Sequence, residues 1–327
     1  MRPIGEFELI DLFTRGMRRG GAGVIVGIGD DAAVLRAPLG EVLVATVDAV
    51  VEGVHFTSRF PPEDVGWKAL AVNLSDVAAM GARPLWALVA LATPRGEDPA
   101  RLARIGRGLA ACARASGTAV VGGNVTAARD LSLTVTVVGS APRGRVLLRS
   151  GARPGDLVVA SGTLGDAALG LEAGAPAALA RRQRRPRARL ALGRALGGIA
   201  RAAVDVSDGL VQDLGHLCEA SGVGAVVEVE RLPLSRAYRA AVRGRAGPWE
   251  AALAGGEDYE LVAAVPPRRL AAARAAARRA RTPVAVVGRF EAGRGVRVVK
   301  GGEPVALSRA GHDHLRVRLL GGAPPRD

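Results

Sequence analysis

Carboxylates sit inside apolar, glycine-punctuated runs at widely separated places in this chain. They are Asp30 and Asp31 in GIGDDAAV, Asp48 in TVDAVVEGVHF, Asp76 in AVNLSDVAAMGA, and Asp205 and Asp208 in VDVSDGL. An apolar run that carries an acid cannot simply be buried, because an unanswered carboxylate in a protein interior is costly. A fold built from these runs must bring the acids to a place where positive charge meets them. No His or Cys cluster accompanies them. Oxygen ligands without nitrogen or sulfur suit a hard divalent cation, Mg2+ rather than Zn2+. Taken singly, each Asp also reads as a helix cap or a turn former; the recurrence of one context favours a shared site.

The 327 residues are 49% hydrophobic and only 3% aromatic, which predicts two domains with cores of Ala, Val and Leu. The formal net charge of +14 comes almost wholly from Arg, since Lys68 and Lys300 are the only lysines. The arginine runs RRQRRPRAR (181–189) and PRRLAAARAAARRAR (267–281) read as solvated faces. With so few aromatic rings to stack on bases, no nucleic acid partner is expected. Cys112 and Cys218 are isolated, so neither a disulfide framework nor a zinc site is expected. No apolar run approaches the length of a membrane span. The opening MRPIGEFELIDLF places acids where a secretory leader would be apolar, and a cytoplasmic protein without a membrane partner is expected.

Apolar extended segments alternate with helical ones, which predicts an α/β (α+β) fold. Segment 41–51 reads as a buried strand ending in polar chemistry and 63–82 as a helix stopped at Gly81. Segment 98–117 is a helix with Asp98 as N-cap, Pro99 as first residue and Gly117 as left-handed end. Strands follow at 119–123 and 131–139, with a Gly-Gly turn at 122–123. The Gly-, Pro- and Arg-rich stretch 141–156 marks a hinge, giving domains 1–143 and 144–327. Beyond it, 157–162, 257–266, 282–290 and 295–300 read as strands, and 202–222 as a strand leading into a helix capped by Asp208 and ended by Gly222.

On the 63–82 helix, Asn73 and Asp76 share a face with Ala69 and Met80, an expensive pattern for structure and a useful one for ligation. Neither GxxxxGK[ST] nor a complete GxGxxG fingerprint is present, so the common phosphate cradles are excluded. Backbone amides of GGN (122–124) and the side chain of Arg149 are the expected phosphate contacts instead.

The motifs GIGDDAAV, TVDAVVEGVHF, KALAVNLSDVAAMGA, LLRSGARPGD, VDVSDGLVQDLGHL and GGEDYELVAAVP occur in this order, and the chain resembles the thiamine-monophosphate kinase family over nearly its whole length. That family is a branch of the superfamily that includes aminoimidazole ribonucleotide synthetase. The resemblance implies transfer of the ATP γ-phosphate to thiamine monophosphate with several Mg2+ ions. It also implies a homodimer in which N-terminal domains pair strands into a shared barrel. It places Asp31, Asp48, Asp76, Asp205 and Asp208 on metal-binding aspartates, with Thr46 and Val47 beside them. Gly123, Arg149 and Ser207 fall on ATP contacts, and His55 and Glu257 on substrate contacts. Asn124 stands where the family has a metal-binding Asp beside the nucleotide, and His312 where it has an aromatic residue against the substrate ring. Because the acceptor is already an ionised phosphate, no general base is expected. Another ATP-using member of the superfamily with a different phosphorylated substrate, or a non-catalytic nucleotide-binding homologue, are the alternative readings.

Overall fold

The computed structural model describes residues 6–17, 20–28 and 32–307, so Asp30, Asp31 and His312 lie outside the described residues. In the N-terminal part, α1 (Glu6–Thr14) and the short pair β1 (Val24–Val26) and β2 (Val34–Leu35) precede a βαβαββ unit. That unit is β3 (Glu41–Val51), α2 (Pro62–Ala79), β4 (Arg83–Thr93), α3 (Pro99–Ser116), β5 (Ala119–Ala127) and β6 (Ser132–Pro142). Its sheet has the order β3-β6-β4-β5, antiparallel except for the β4–β5 pair.

The helix expected at 98–117 forms as its end signals require. Asp98 accepts a hydrogen bond from the Ala100 N–H, and Gly117 closes the helix at φ 74°. The α2 helix ends at Ala79, with Met80 as C-cap and Gly81 at φ 69°. The two helices meet through glycines. A Cβ on Gly66 would lie 1.9 Å from the Ile105 carbonyl, and one on Gly108 would lie 1.9 Å from that of Glu63. Helix α2 buries Val65, Leu70, Val77 and their neighbours against the inner face of the sheet, where β6 supplies Leu133, Val135 and Val137. On strand β3, Leu43 and Val47 are exposed on the opposite face.

The chain then passes through a single 3-10 turn at Arg143–Arg145. The second part is built on strands β7 (Leu157–Ser161), β8 (Ala202–Asp205), β9 (Gly224–Glu228), β10 (Leu261–Val265), β11 (Val284–Glu291), β12 (Gly295–Lys300) and β13 (Glu303–Pro304). Their order is β13-β12-β9-β11-β7-β10-β8. Helices α4 (Asp166–Gly170), α5 (Ala177–Arg184), α6 (Leu190–Leu196), α7 (Leu210–Ser221), α8 (Arg236–Ala241), α9 (Glu250–Ala254) and α10 (Leu270–Arg279) surround it. One core packs around Leu210, Leu214, Leu217 and Tyr238; the other joins Leu192 and Leu196 of α6 to Ala78 and Ala79 at the end of α2. Helix α2 therefore serves both sheets. Cys112 and Cys218 are buried in α3 and α7, as expected of small apolar residues.

Three expectations need correction. Gly122 and Gly123 form no turn; they lie inside β5, where a Cβ on Gly123 would come 2.0 Å from the Val89 carbonyl. The segment 257–266 becomes a strand only at Leu261, because Glu257 (φ 68°) and Tyr259 (φ 51°) adopt left-handed backbone. The arginine run 181–189 is no solvated face. Arg182 and Arg189 bind the fully buried Glu260, and Arg184 and Arg185 bind Asp64 of α2. The Trp67 indole N–H donates to the Pro186 carbonyl (3.0 Å), which completes a clasp between the two parts.

Candidate active site

Strand β3 delivers the first acids. Thr46 and Asp48 lie on the face that meets α2, while Val47 points away from it with 58% of its surface exposed. A metal contact from Val47 is thus open only to its main-chain oxygen. Asp48 lies within β3 and not at its end, which corrects the strand-end reading. The Thr46 hydroxyl donates to Asp76 Oδ2 (2.6 Å), and the Asp48 and Asp76 carboxyls are hydrogen-bonded to each other. Crowding by protein atoms and the neighbouring charges of Asp76 and Asp208 push the Asp48 carboxyl up from its ordinary range. Burial also raises Asp76, partly offset by Thr46, Asp48 and the positive charge of Arg149.

The second sheet brings the remaining acids to the same helix. Asp205, buried at the end of β8, accepts a hydrogen bond from Ser75 Oγ of α2 (2.6 Å). Burial raises its pKa most, and the charge of Asp76 adds to it. The loop carrying Ser207 and Asp208 follows. Asp208 does not cap α7: Gly209 holds the N-cap position, and Asp213 reaches back instead. Its Oδ2 accepts N–H bonds from Ser207, Asp208 and Gly209, each 3.0 Å long. Asp213 was missed in the sequence because an acid three residues after the helix start resembles an ordinary first-turn charge.

Among the described residues, no group of three or more His, Cys, Asp or Glu side chains closes tightly enough to hold a metal ion. Mg2+ enlists one or two carboxylates and completes its octahedron with water and phosphate oxygens. The Asp48–Asp76 pair, with Thr46 and Asp205 beside it, is a donor set of that kind: all oxygen, and short of positive charge.

The substrate-side expectations meet around Lys68, which sequence reading left out. Its ammonium is almost wholly buried, 2.5 Å from Glu257 Oε1, and donates to the His55 carbonyl (2.9 Å). Gln183 Nε2 holds the other Glu257 oxygen (2.8 Å). The Val51 N–H donates to His55 Nδ1 (3.1 Å), fixing that ring as an acceptor there. The signal for Lys68 was present: it is one of only two lysines, and it stands in a helix of apolar residues. Tyr259 brings its phenol among the acids. Burial raises its pKa well above the usual tyrosine value, and the charges of Glu257, Asp205, Asp48 and Asp76 add to this. Asn124 is exposed on β5, which forms one edge of the sheet. Arg149 is exposed, with its carbonyl held by Ser221 Oγ (3.0 Å).

A pH dependence follows from the raised carboxylates. Their folded-state pKa values lie above the unfolded value of about 3.9, so the folded protein binds protons more tightly than the unfolded chain. Without a divalent cation, their contribution to stability is full below about pH 4 and is lost as the pH rises through neutrality. Melting temperatures with EDTA and with Mg2+ should therefore diverge as pH rises from about 5 to 8, the Mg2+ curve lying higher. A gap that stays constant across that range would contradict the assignment.

Residues 29–141 match the family model for AIR synthase related protein, N-terminal domain, and residues 153–301 match the corresponding C-terminal domain. The thiamine-monophosphate kinase of Salmonella typhimurium is 41% identical over 323 residues, which is 95% of this chain and 98% of that one. A crystal structure of thiamine-monophosphate kinase from Stenotrophomonas maltophilia K279a superimposes with a TM-score of 0.80 at 41% identity, covering 86% of this chain and 92% of that one. AaThiL complexed with AMPPCP and TMP superimposes with a TM-score of 0.75 at 34% identity, covering 94% and 97%.

Proposed function

The chain belongs to the AIR synthase related family, within it to the thiamine-monophosphate kinases, and from that membership we propose that it transfers the γ-phosphate of ATP to thiamine monophosphate, giving thiamine diphosphate. The observation that carries this reading is the meeting of Asp48, Asp76 and Asp205, drawn from two sheets onto one helix, in a chain similar from end to end to such kinases.

Bringing two phosphate groups together is mainly a problem of charge and position. In this reading Asp31, Asp48, Asp76, Asp205 and Asp208 would hold Mg2+, which would supply positive charge against the phosphate oxygens. The chain's own part is to hold and align. Thr46 and Ser75 orient Asp76 and Asp205 through their hydroxyl hydrogen bonds. Asp213 pins the Ser207–Gly209 backbone, so Ser207 meets the nucleotide from a fixed loop. Arg149 adds a positive charge beside Asp76, and Gly123 lets β5 lie close against β4. Lys68 and Gln183 hold Glu257 toward the thiamine phosphate, with His55 alongside and His312 supplying the ring contact. No side chain is assigned as general base, since the attacking oxygen is already anionic. In this reading the nucleotide and metal machinery lies mainly in residues 1–143, and residues 144–327 close over it.

We take the working form to be a cytoplasmic homodimer. The sheet face that carries Leu43, Val47 and Leu88 leaves these side chains exposed, as a second copy pairing through this domain would require. No helix among the described residues is long and apolar enough to cross a membrane.

Asn124 leaves one carboxylate fewer at the metal subsite than the family pattern. Asn124→Asp is expected to lower the Mg2+ concentration that gives half-maximal rate, with little change in the rate at saturation. An unchanged Mg2+ dependence would remove Asn124 from the metal site. The parent assay is thiamine diphosphate formation from ATP, Mg2+ and thiamine monophosphate, followed by chromatography. Binding of nucleotide without product would favour the non-catalytic homologue.

A further inference from the structure

A cavity lies at the end of β3 away from the carboxylates. Glu41 opens that strand, and Asp48 follows seven residues later, so about 23 Å of extended chain separates this cavity from the carboxylates. The cavity has a volume of about 380 Å3 and lies between the two parts of the molecule. Arg83 and Ser140 come from the starts and ends of the first sheet, Arg145 from the connecting 3-10 turn, and Arg194 from α6.

The charges in it do not balance. Glu41 is answered by Arg83 (3.1 Å) and by the Ser140 hydroxyl. The Ser140 hydrogen bond, with Arg83 and Arg194 nearby, holds the Glu41 carboxyl below its ordinary range. Arg145 and Arg194 remain, and neither guanidinium makes a hydrogen bond or a close ion pair among the described residues. Three guanidinium groups against one carboxylate leave a charge of +2 around the cavity. The frame is also built rather than incidental. The Arg145 carbonyl sits where a Cβ on Gly197 would be 2.7 Å away and one on Gly81 3.1 Å away, and the Leu147 N–H donates to the Met80 carbonyl (3.0 Å). The turn that carries Arg145 is thereby fixed between the ends of α2 and α6.

Planar guanidinium forks matched to a doubly charged oxyanion are the usual means of holding phosphate. We infer that this cavity is a second, metal-independent anion site that takes a phosphate group, either the free ion or a small phosphate ester, between Arg145 and Arg194. A ligand there touches both parts of the chain at the turn that joins them.

The test is calorimetric titration of the full chain in EDTA with inorganic phosphate and, separately, with glycerol 3-phosphate. EDTA removes binding that depends on a divalent cation. Saturable binding is expected, weakened by about tenfold or more in Arg145→Ala/Arg194→Ala. It is expected to be weakened less in Arg145→Lys/Arg194→Lys, which keeps the charge and loses the fork, and to be unchanged in Arg149→Ala, which lies at the carboxylate site. Tighter binding of inorganic phosphate identifies the free ion as ligand, and the reverse order identifies an ester. Both arginines are exposed, so both variants should melt like the parent chain without ligand. Absence of saturable binding, equal affinity in the alanine pair, or loss of binding in Arg149→Ala would overturn the proposal.

Discussion

Asp76→Ala is expected to reduce thiamine diphosphate formation by about a hundredfold or more, the scale of losing a charge-stabilising group at a transferring phosphoryl centre. Asp76 is the acid that the others share. Thr46 donates to it, Asp48 is hydrogen-bonded to it, and its charge helps raise Asp205. The same variant should not lose stability in EDTA. Removing a carboxylate that others repel relieves the fold, so its melting temperature without metal should equal or exceed that of the parent. Stabilisation by Mg2+ should shrink in parallel with the rate. Equal loss of rate and of metal-free stability would mark Asp76 as a structural residue only.

Glu260→Ala is expected to give the largest loss of stability, about 3–5 kcal/mol, the usual cost of removing one partner from a buried ionic cluster. Glu260 is fully buried and accepts from Ser161 Oγ (2.6 Å), Arg182 Nη2 (2.6 Å) and Arg189 Nε (2.6 Å). Truncation leaves Arg189 without its carboxylate and Arg182 with only a long contact to Asp166 (4.0 Å). It also opens space beside Gly162, where a Cβ would now collide with the Glu260 carboxylate at 2.0 Å. Denaturant midpoints measure the first effect. The second is kinetic: the arm anchored by Glu260 carries Gln183 to Glu257, so the surviving folded enzyme should show a raised KM for thiamine monophosphate with a smaller change in kcat. A variant as stable as the parent would mean that Arg182 and Arg189 find other partners.

These two residues also mark what could be read from the sequence. Local signals were legible. The helix at 98–117 was written by Asp98, Pro99 and Gly117, and the acids at 48, 76 and 205 were picked out by their apolar surroundings. Features made by distant pairing were not. The arginine run at 181–189 looked like a solvated face because its partners are remote in sequence: Asp64 lies 121 residues from Arg185, and Glu260 lies 78 residues from Arg182. Lys68 and Glu257 escaped pairing for the same reason. Asp208 drew the cap assignment because it lies just before the Gly209 N-cap, yet Asp213 collects the three free N–H groups from inside the first turn. The strand beginning at Leu261 was over-extended because the left-handed backbone at Glu257 and Tyr259 has no residue signature, neither being glycine or asparagine. Such backbone beside a site is held by its surroundings, here by Lys68 and Gln183 on Glu257 and by the packing around Tyr259.

In the proposed reaction the phosphoryl group passes directly between two bound substrates at the shared carboxylates. The most direct test is a single-turnover reaction of the full chain with ATP labelled at the γ-phosphate, thiamine monophosphate and Mg2+. Label is expected on the terminal phosphate of thiamine diphosphate, with one ADP formed per product and both formed about a hundredfold or more slowly in Asp76→Ala. Label released as inorganic phosphate, or ATP consumed with thiamine monophosphate untouched, would contradict it.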